Sequence, residues 1–251
     1  MKQCSEVKYD RASILASYYT KRKRVQESVC VYAFFVLIIY NAFCLLVKFQ
    51  FVYLHRIIIS IILASLLADF GSGIIHWAFD TWGNMDSTFG KAFIRSFRQH
   101  HIDPTSITKH DFIETNGDNC ALTIPLLFYL ALKSFPGQKS SDYHSYGQDF
   151  FLLIISLYAA LTNQIHKWSH TYHGLPKLVV ILQRFKIILP PSHHRTHHIM
   201  PHDCYYCITT GWLNRPLEFM NFWRTLESVV TNLTGYRARM DDAKWSKKVQ
   251  N

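Results

Sequence analysis

Twenty consecutive residues without a charge, Ser28 to Val47, constrain this chain more than any other feature. A hydrocarbon core about 30 Å thick asks for about 20 apolar residues in a helix, because lipid offers the backbone no hydrogen-bond partner. Three further runs follow. Ile57 to Phe79 is interrupted only by Asp69 and His76 near its far end, Cys120 to Phe135 contains Pro125 and Lys133, and Phe150 to Ile165 leads directly into His166. A fifth stretch, Leu178 to Leu189, carries Arg184 and Lys186. It is too short and too charged to span, and is expected to lie in the interface as an amphipathic helix. The fold expected is therefore all-α: a multi-pass membrane helical bundle of about four transmembrane helices plus an interfacial helix. The chain divides into a polar basic N-terminal segment, 1–27, and a membrane domain, 28–251.

A net charge of +10 and the block Lys21-Arg22-Lys23-Arg24 raise nucleic acid as a partner. The basic residues lie beside the apolar runs, which is the positive-inside pattern of a membrane protein, so nucleic acid is set aside. The block before the first span places the N-terminus in the cytosol. Four crossings return the C-terminus there and leave Lys48, Arg56, Lys133 and Lys139 on the outer side. The first 28 residues hold no early hydrophobic stretch, so no cleaved signal peptide is expected. Cys204-Tyr205-Tyr206-Cys207 is a lone CxxC without the second pair a zinc site requires, and the six cysteines are read as reduced thiols. Asp69 inside an apolar run is costly in lipid, so it should face the bundle interior and have a partner.

This topology gathers the histidines. His76, His100, His101, His110, His166, His170, His193, His194, His197 and His198 all fall on the cytosolic face, within regions 76–119 and 166–251, and only His55 and His144 fall outside. Imidazole is the commonest nitrogen ligand for zinc, copper and iron. Ten of them exceed what one tetrahedral ion takes, about four, and suit two metals held close together. His166 and His170 share a helical face, as do His193 with His197 and His194 with His198. Asp69, Gly73, His76 and Asp80 form one stripe at spacings a helix aligns. Asp80, Asp69 and Asn116 are candidates to complete the shell or to orient the ligands. His173 and His202 sit at cluster edges and are read as non-ligands.

The strings GSGIIHWAFDTWG, TNQIHKWSHTYHGLP and ILPPSHHRTHHIMPH, followed by YCITTGWLNRPLE, extend the pattern over about residues 57–245. Together they resemble the plasmanylethanolamine desaturases, the Kua-type family within the histidine-box membrane fatty-acid desaturases. The resemblance implies a di-iron site, with the family's histidine boxes falling on His166 and His170 and on His193, His194, His197 and His198. His76, His100, His101 and His110 match further family histidines, whereas His173 stands where the family has an aromatic. It also implies an ether glycerophospholipid substrate, dioxygen, and electrons from NADH through cytochrome b5 and its reductase at the endoplasmic reticulum membrane. Lys167, Lys177, Arg184 and Lys186 are candidates to dock the acidic donor or to contact lipid phosphates. A lipid hydroxylase uses the same site, and product analysis separates the two. A zinc hydrolase would need fewer ligands. A metal transporter or scaffold would place its histidines along a path at mid-span, where this chain is apolar.

Overall fold

The computed structural model describes residues 19–82, 100, 103–135, 143–199 and 202–239. Four long helices make the bundle: α1 (Lys21–Val47), α2 (Leu54–Trp82), α3 (Phe112–Lys133) and α4 (Tyr143–Ser169). Four short ones follow, α5 (Lys177–Arg184), α6 (Pro191–His197), α7 (Asn214–Phe219) and α8 (Phe222–Thr234), and no strand occurs among the described residues. By length and composition, α1 and the segment Phe51–Trp82 are apolar enough to cross a membrane.

Helix α1 starts at Lys21 rather than at Ser28, so the basic block is its first turn and not a separate tail. The Thr20 hydroxyl caps it by accepting from the Lys23 amide at 3.2 Å. Cations at a helix N-terminus oppose the macrodipole. Here Asp118 pairs with Lys23, and Asp111 meets Arg24 at 2.7 Å, which offsets the cost and ties α1 to α3.

The faces of α1 and α2 are sorted for lipid rather than water. Val29, Tyr32, Val36, Ile39, Phe43 and Leu46 project outward from α1, while Glu27 and Asn41 are buried. On α2 the outward face is Ile58, Ile59, Ile62 and Leu63, and the inward face is Ser60, Ala64, Ser65, Asp69, Ser72, His76 and Asp80. Polar groups turned inward find partners, as membrane helices require. Asn41 donates to the carbonyls of Leu37 and Leu127 at 2.9 Å each, Ser60 donates to Gly147 at 2.7 Å, and Tyr146 donates to Leu45 at 3.0 Å. A helix of 29 residues is about 43 Å long, more than the hydrocarbon core, and His76 and Asp80 lie in its last two turns.

Helix α3 begins at Phe112, earlier than the apolar run suggests, because Asp111 caps it by accepting from the Glu114 amide at 3.0 Å. Packing runs α1 on α3, α3 on α4 and α4 on α2. This order leaves a gap between α2 on one side and α1 and α3 on the other. At Gly117 the α1–α3 contact is so close that an added Cβ would sit 2.4 Å from the Cβ of Glu27 and 2.9 Å from its Cα. The backbone would have to move. Gly117→Ala is expected to destabilise the bundle by about 1–3 kcal/mol, the usual cost of overpacking. Thermal unfolding in detergent checks this, and an unchanged Tm would remove the close approach from the account.

The interfacial helix α5 ends at Arg184, shorter than expected, and Lys186 follows with φ at +55°. Leu178, Val180, Ile181 and Phe185 are exposed, and Val179 and Gln183 are buried beneath them. That is an amphipathic element resting on the bundle with an apolar surface left for the membrane.

Candidate metal centre

Five imidazoles from three places in the chain meet at the end of the bundle. His166 and His170 come from the last turn of α4 and just beyond it, His194 and His198 from α6 and its cap, and His100 from the segment before α3. One ring nitrogen from each lies within 4.8 Å of all the others. The Nε2 of His166 is 2.7 Å from that of His194 and 3.1 Å from that of His100, and the Nε2 of His198 is 2.9 Å from that of His194. Donor atoms this close are what a shared cation needs, since cis ligands about 2.1 Å from one ion stand about 3 Å apart. Burial pushes the His194 imidazole well below its ordinary value, with repulsion from His166 and His170 adding to it. The ring is therefore neutral near pH 7, the form that binds metal.

A second group abuts the first. His76 and Asp80 lie one turn apart on α2, and His197 joins them from α6. One Asp80 carboxylate oxygen is 3.1 Å from the Nε2 of His76 and 3.4 Å from that of His197. The ring centroids of His76 and His166 are 5.6 Å apart and those of His194 and His197 are 5.5 Å apart, so the two groups share a wall. The donor set, eight side chains in two touching groups, fits two metal ions with nitrogen-rich shells and one carboxylate.

The two histidines of the second group are aimed by backbone carbonyls. The Nδ1 of His76 lies 3.0 Å from the Tyr206 carbonyl and the Nδ1 of His197 lies 2.9 Å from the Cys204 carbonyl. A carbonyl only accepts, so each Nδ1 carries the proton and each Nε2 keeps its lone pair for a metal. The segment 204–213 is itself fastened to α2. Asp69 accepts the amides of Thr210 at 2.7 Å, Gly211 at 2.8 Å and Leu213 at 3.0 Å, and Ser72 accepts the amide of Ile208 at 3.1 Å. Asn214 pairs with both the amide and the carbonyl of Cys207, at 2.8 and 2.9 Å. Here the Cys204–Cys207 stretch acts through carbonyl oxygens. Carbonyls have no side-chain signature, so residue spacing could not reveal that role.

Other candidate residues fall nearby. His110 meets Glu114 at 2.9 Å on the wall of a cavity and belongs to neither group. His193 stands in the first turn of α6, a turn away from His197, and its ring faces Tyr205 at 6.1 Å between centroids. Asn116 donates to Gln164 at 3.1 Å, joining α3 to α4 beneath the histidines. Lys167 donates to the His110 carbonyl, whereas Lys177, Arg184 and Lys186 are exposed. His101 lies outside the described residues.

The cavity is about 730 Å³ and runs from His76, His100 and His166 into the gap between α2 and α3. Lys23, Glu27 and Asp118 line it together with the apolar Leu67, Ile75, Phe79, Leu122 and Ile155 and the polar Asn119, Thr162 and Asn163. A cavity of this size, with histidine donors, charged residues and apolar side chains in its lining, matches an amphiphile.

The lipid desaturase domain model matches residues 65–241, the region that contains both groups of donors. The chain belongs to the lipid desaturase family. It is similar to plasmanylethanolamine desaturase 1 of Mus musculus, at 48% identity across 94% of the chain and 88% of that protein. It is also similar to plasmanylethanolamine desaturase of Myxococcus xanthus, at 39% identity across 94% of the chain and 82% of that protein. Chloroplastic fatty acid desaturase 4 of Arabidopsis thaliana is 30% identical across 69% of the chain and 51% of that protein. No solved structure matches.

Proposed function

We propose that this membrane desaturase introduces the vinyl-ether double bond of plasmalogens, converting 1-O-alkyl to 1-O-alk-1'-enyl glycerophosphoethanolamine. The observation that carries the reading is that two abutting donor groups contribute His76, His100 and His166 to the lining of a cavity with a long apolar stripe. The carbons to be desaturated adjoin the ether oxygen and so lie at head-group depth. His76 stands at the end of a helix longer than the hydrocarbon core, which suits that depth. A mid-chain desaturation would require the chain to bend back up to reach the same donors. Lys23 beside Glu27 and Asp118 in the cavity lining gives both signs of charge, as a zwitterionic phosphoethanolamine head would need.

His100, His166, His170, His194 and His198 would hold one iron, and His76, Asp80 and His197 the other. Iron with dioxygen supplies the oxidant that an unactivated CH2 demands. The protein's own part is positional. The carbonyls of Tyr206 and Cys204 hold two imidazoles in one tautomer, the apolar wall keeps water from the chain, and the bundle presents the ether carbons to the donors. The two hydrogens removed, together with two electrons from NADH and two protons, reduce dioxygen to two waters. Cytochrome b5 and its reductase would deliver those electrons on the cytosolic side of the endoplasmic reticulum, with both termini cytosolic and four spans. The exposed cations Lys177, Arg184 and Lys186, on and just after α5, favour an acidic partner, and Lys167 is engaged internally.

Purified protein is expected to contain about two iron atoms per chain. Supplied with 1-O-alkyl glycerophosphoethanolamine, dioxygen and reduced cytochrome b5, it should form the vinyl ether, at rates that fall as salt screens the donor. One zinc and no iron, or a hydroxylated product in place of the alkene, would refute the reading.

A further inference from the structure

We propose that Gly71 sets the bore of the lane that receives the alkyl chain, and thereby decides which chain lengths are converted. This rests on the vinyl-ether reading above. Helix α2 lines the cavity with Leu67, Gly71, Ile75 and Phe79, one residue per turn, and Leu122 of α3 and Ile155 of α4 face them. These six residues give the lane an apolar stripe that leads away from His76, with Asn119 and Asn163 on the same cavity wall. Leu67, Ile75 and Leu122 are also 50%, 46% and 69% exposed, so the lane opens sideways, and a lipid can enter from the bilayer without leaving it.

Gly71 has no other explanation in the packing. A glycine inside a helix is entropically costly, and is kept where a side chain would collide. Two glycines of α2 show the contrast. At Gly73 an added Cβ would lie 2.7 Å from the Cys207 sulfur and 3.1 Å from the Trp223 ring, so close packing demands the glycine. At Gly71 an added Cβ meets nothing within 4 Å. The space that a side chain would fill is the lane itself. Gly71 precedes His76 by five residues, about 7.5 Å along the helix, the reach of about six methylenes. A chain that ends short of Gly71 would not sense the residue, whereas a long chain must pass it.

The test compares Gly71→Leu and Gly71→Ala with the wild type on 1-O-propyl and 1-O-hexadecyl glycerophosphoethanolamine. Gly71→Leu should lower kcat/KM for the hexadecyl substrate by at least about tenfold, the scale on which a pocket rejects surplus methylenes. It should leave the propyl substrate, which ends well short of Gly71, close to the wild-type value, and Gly71→Ala should leave both close to it. Equal loss at both lengths, or an unchanged hexadecyl rate, overturns the proposal. A hexadecyl substrate with a photoactivatable group at its sixth carbon gives a second measurement that needs no variant. In the wild type it should label residues 67–75 of α2 or Leu122 and Ile155 opposite them, and labelling outside these residues overturns the lane. If the wild type makes no vinyl ether from either substrate, the reading of the reaction fails, while the photolabel still reports on the lane.

Discussion

Replacing His194 with alanine is expected to lower turnover by more than about 100-fold while leaving the bundle folded, since disturbing even an outer hydrogen bond of a metal site costs about 10–100-fold. His194 is the node of the larger group, with its Nε2 within 2.9 Å of two other imidazole nitrogens. It is fully buried, so no water ligand can slip into its place without a path from solvent. The loss should be confined to the centre. α6 is a short helix whose entry is set by Pro190 and Pro191, and the Leu189 amide is anchored separately to the Thr209 carbonyl at 2.9 Å. Metal content, vinyl-ether formation and helicity measured on one preparation distinguish the outcomes. Bound iron and activity should fall together at constant helicity, while His55→Ala, at an exposed position, should match the wild type. Full activity in His194→Ala would remove the five-histidine group from the reaction.

Much of this arrangement is legible where the spacing is helical. His166 and His170, His194 and His198, and His76 and Asp80 each stand four residues apart, and each pair converges. The partition between the two groups is not legible. Neighbours on a helix diverge by about 100°, so His197 turns to Asp80 while His198, the next residue, turns to His194. His193 shares a helical face with His197 but lies a turn nearer the start of α6, too far back to join it. His100 arrives from a segment that carries no periodic signal. The first and third helices begin earlier than their apolar runs because Thr20 and Asp111 cap them, and hydropathy does not register capping. The inward place of Asp69 follows from the cost of a carboxylate in lipid. Its three partners do not, because they are backbone amides more than 140 positions away.

Those three amides make Asp69→Ala the most destabilising substitution expected outside the donors. The carboxylate is fully buried and accepts from Thr210, Gly211 and Leu213 in one turn. Removing it leaves three buried N–H groups without an acceptor, each costing about 1–3 kcal/mol, for a total of about 3–5 kcal/mol once partial relaxation is allowed. The turn has little freedom to relax. Gly211 holds φ at +74°, and a Cβ there would meet Leu189 at 2.9 Å and His193 at 3.1 Å. The damage should travel to the metal centre along the backbone, since the same segment carries the Tyr206 and Cys204 carbonyls that orient His76 and His197. Asp69→Asn grades the effect. Its remaining oxygen can still accept from Thr210 and Gly211, but its amide nitrogen would face the Leu213 amide donor to donor, so its Tm should fall between those of Asp69→Ala and the wild type. Iron content should follow the same order, although Asp69 touches no metal donor in either group. An Asp69→Ala protein with wild-type Tm and full iron would show that the 204–213 segment holds its place without α2, and the route from Asp69 to the histidines would have to be abandoned.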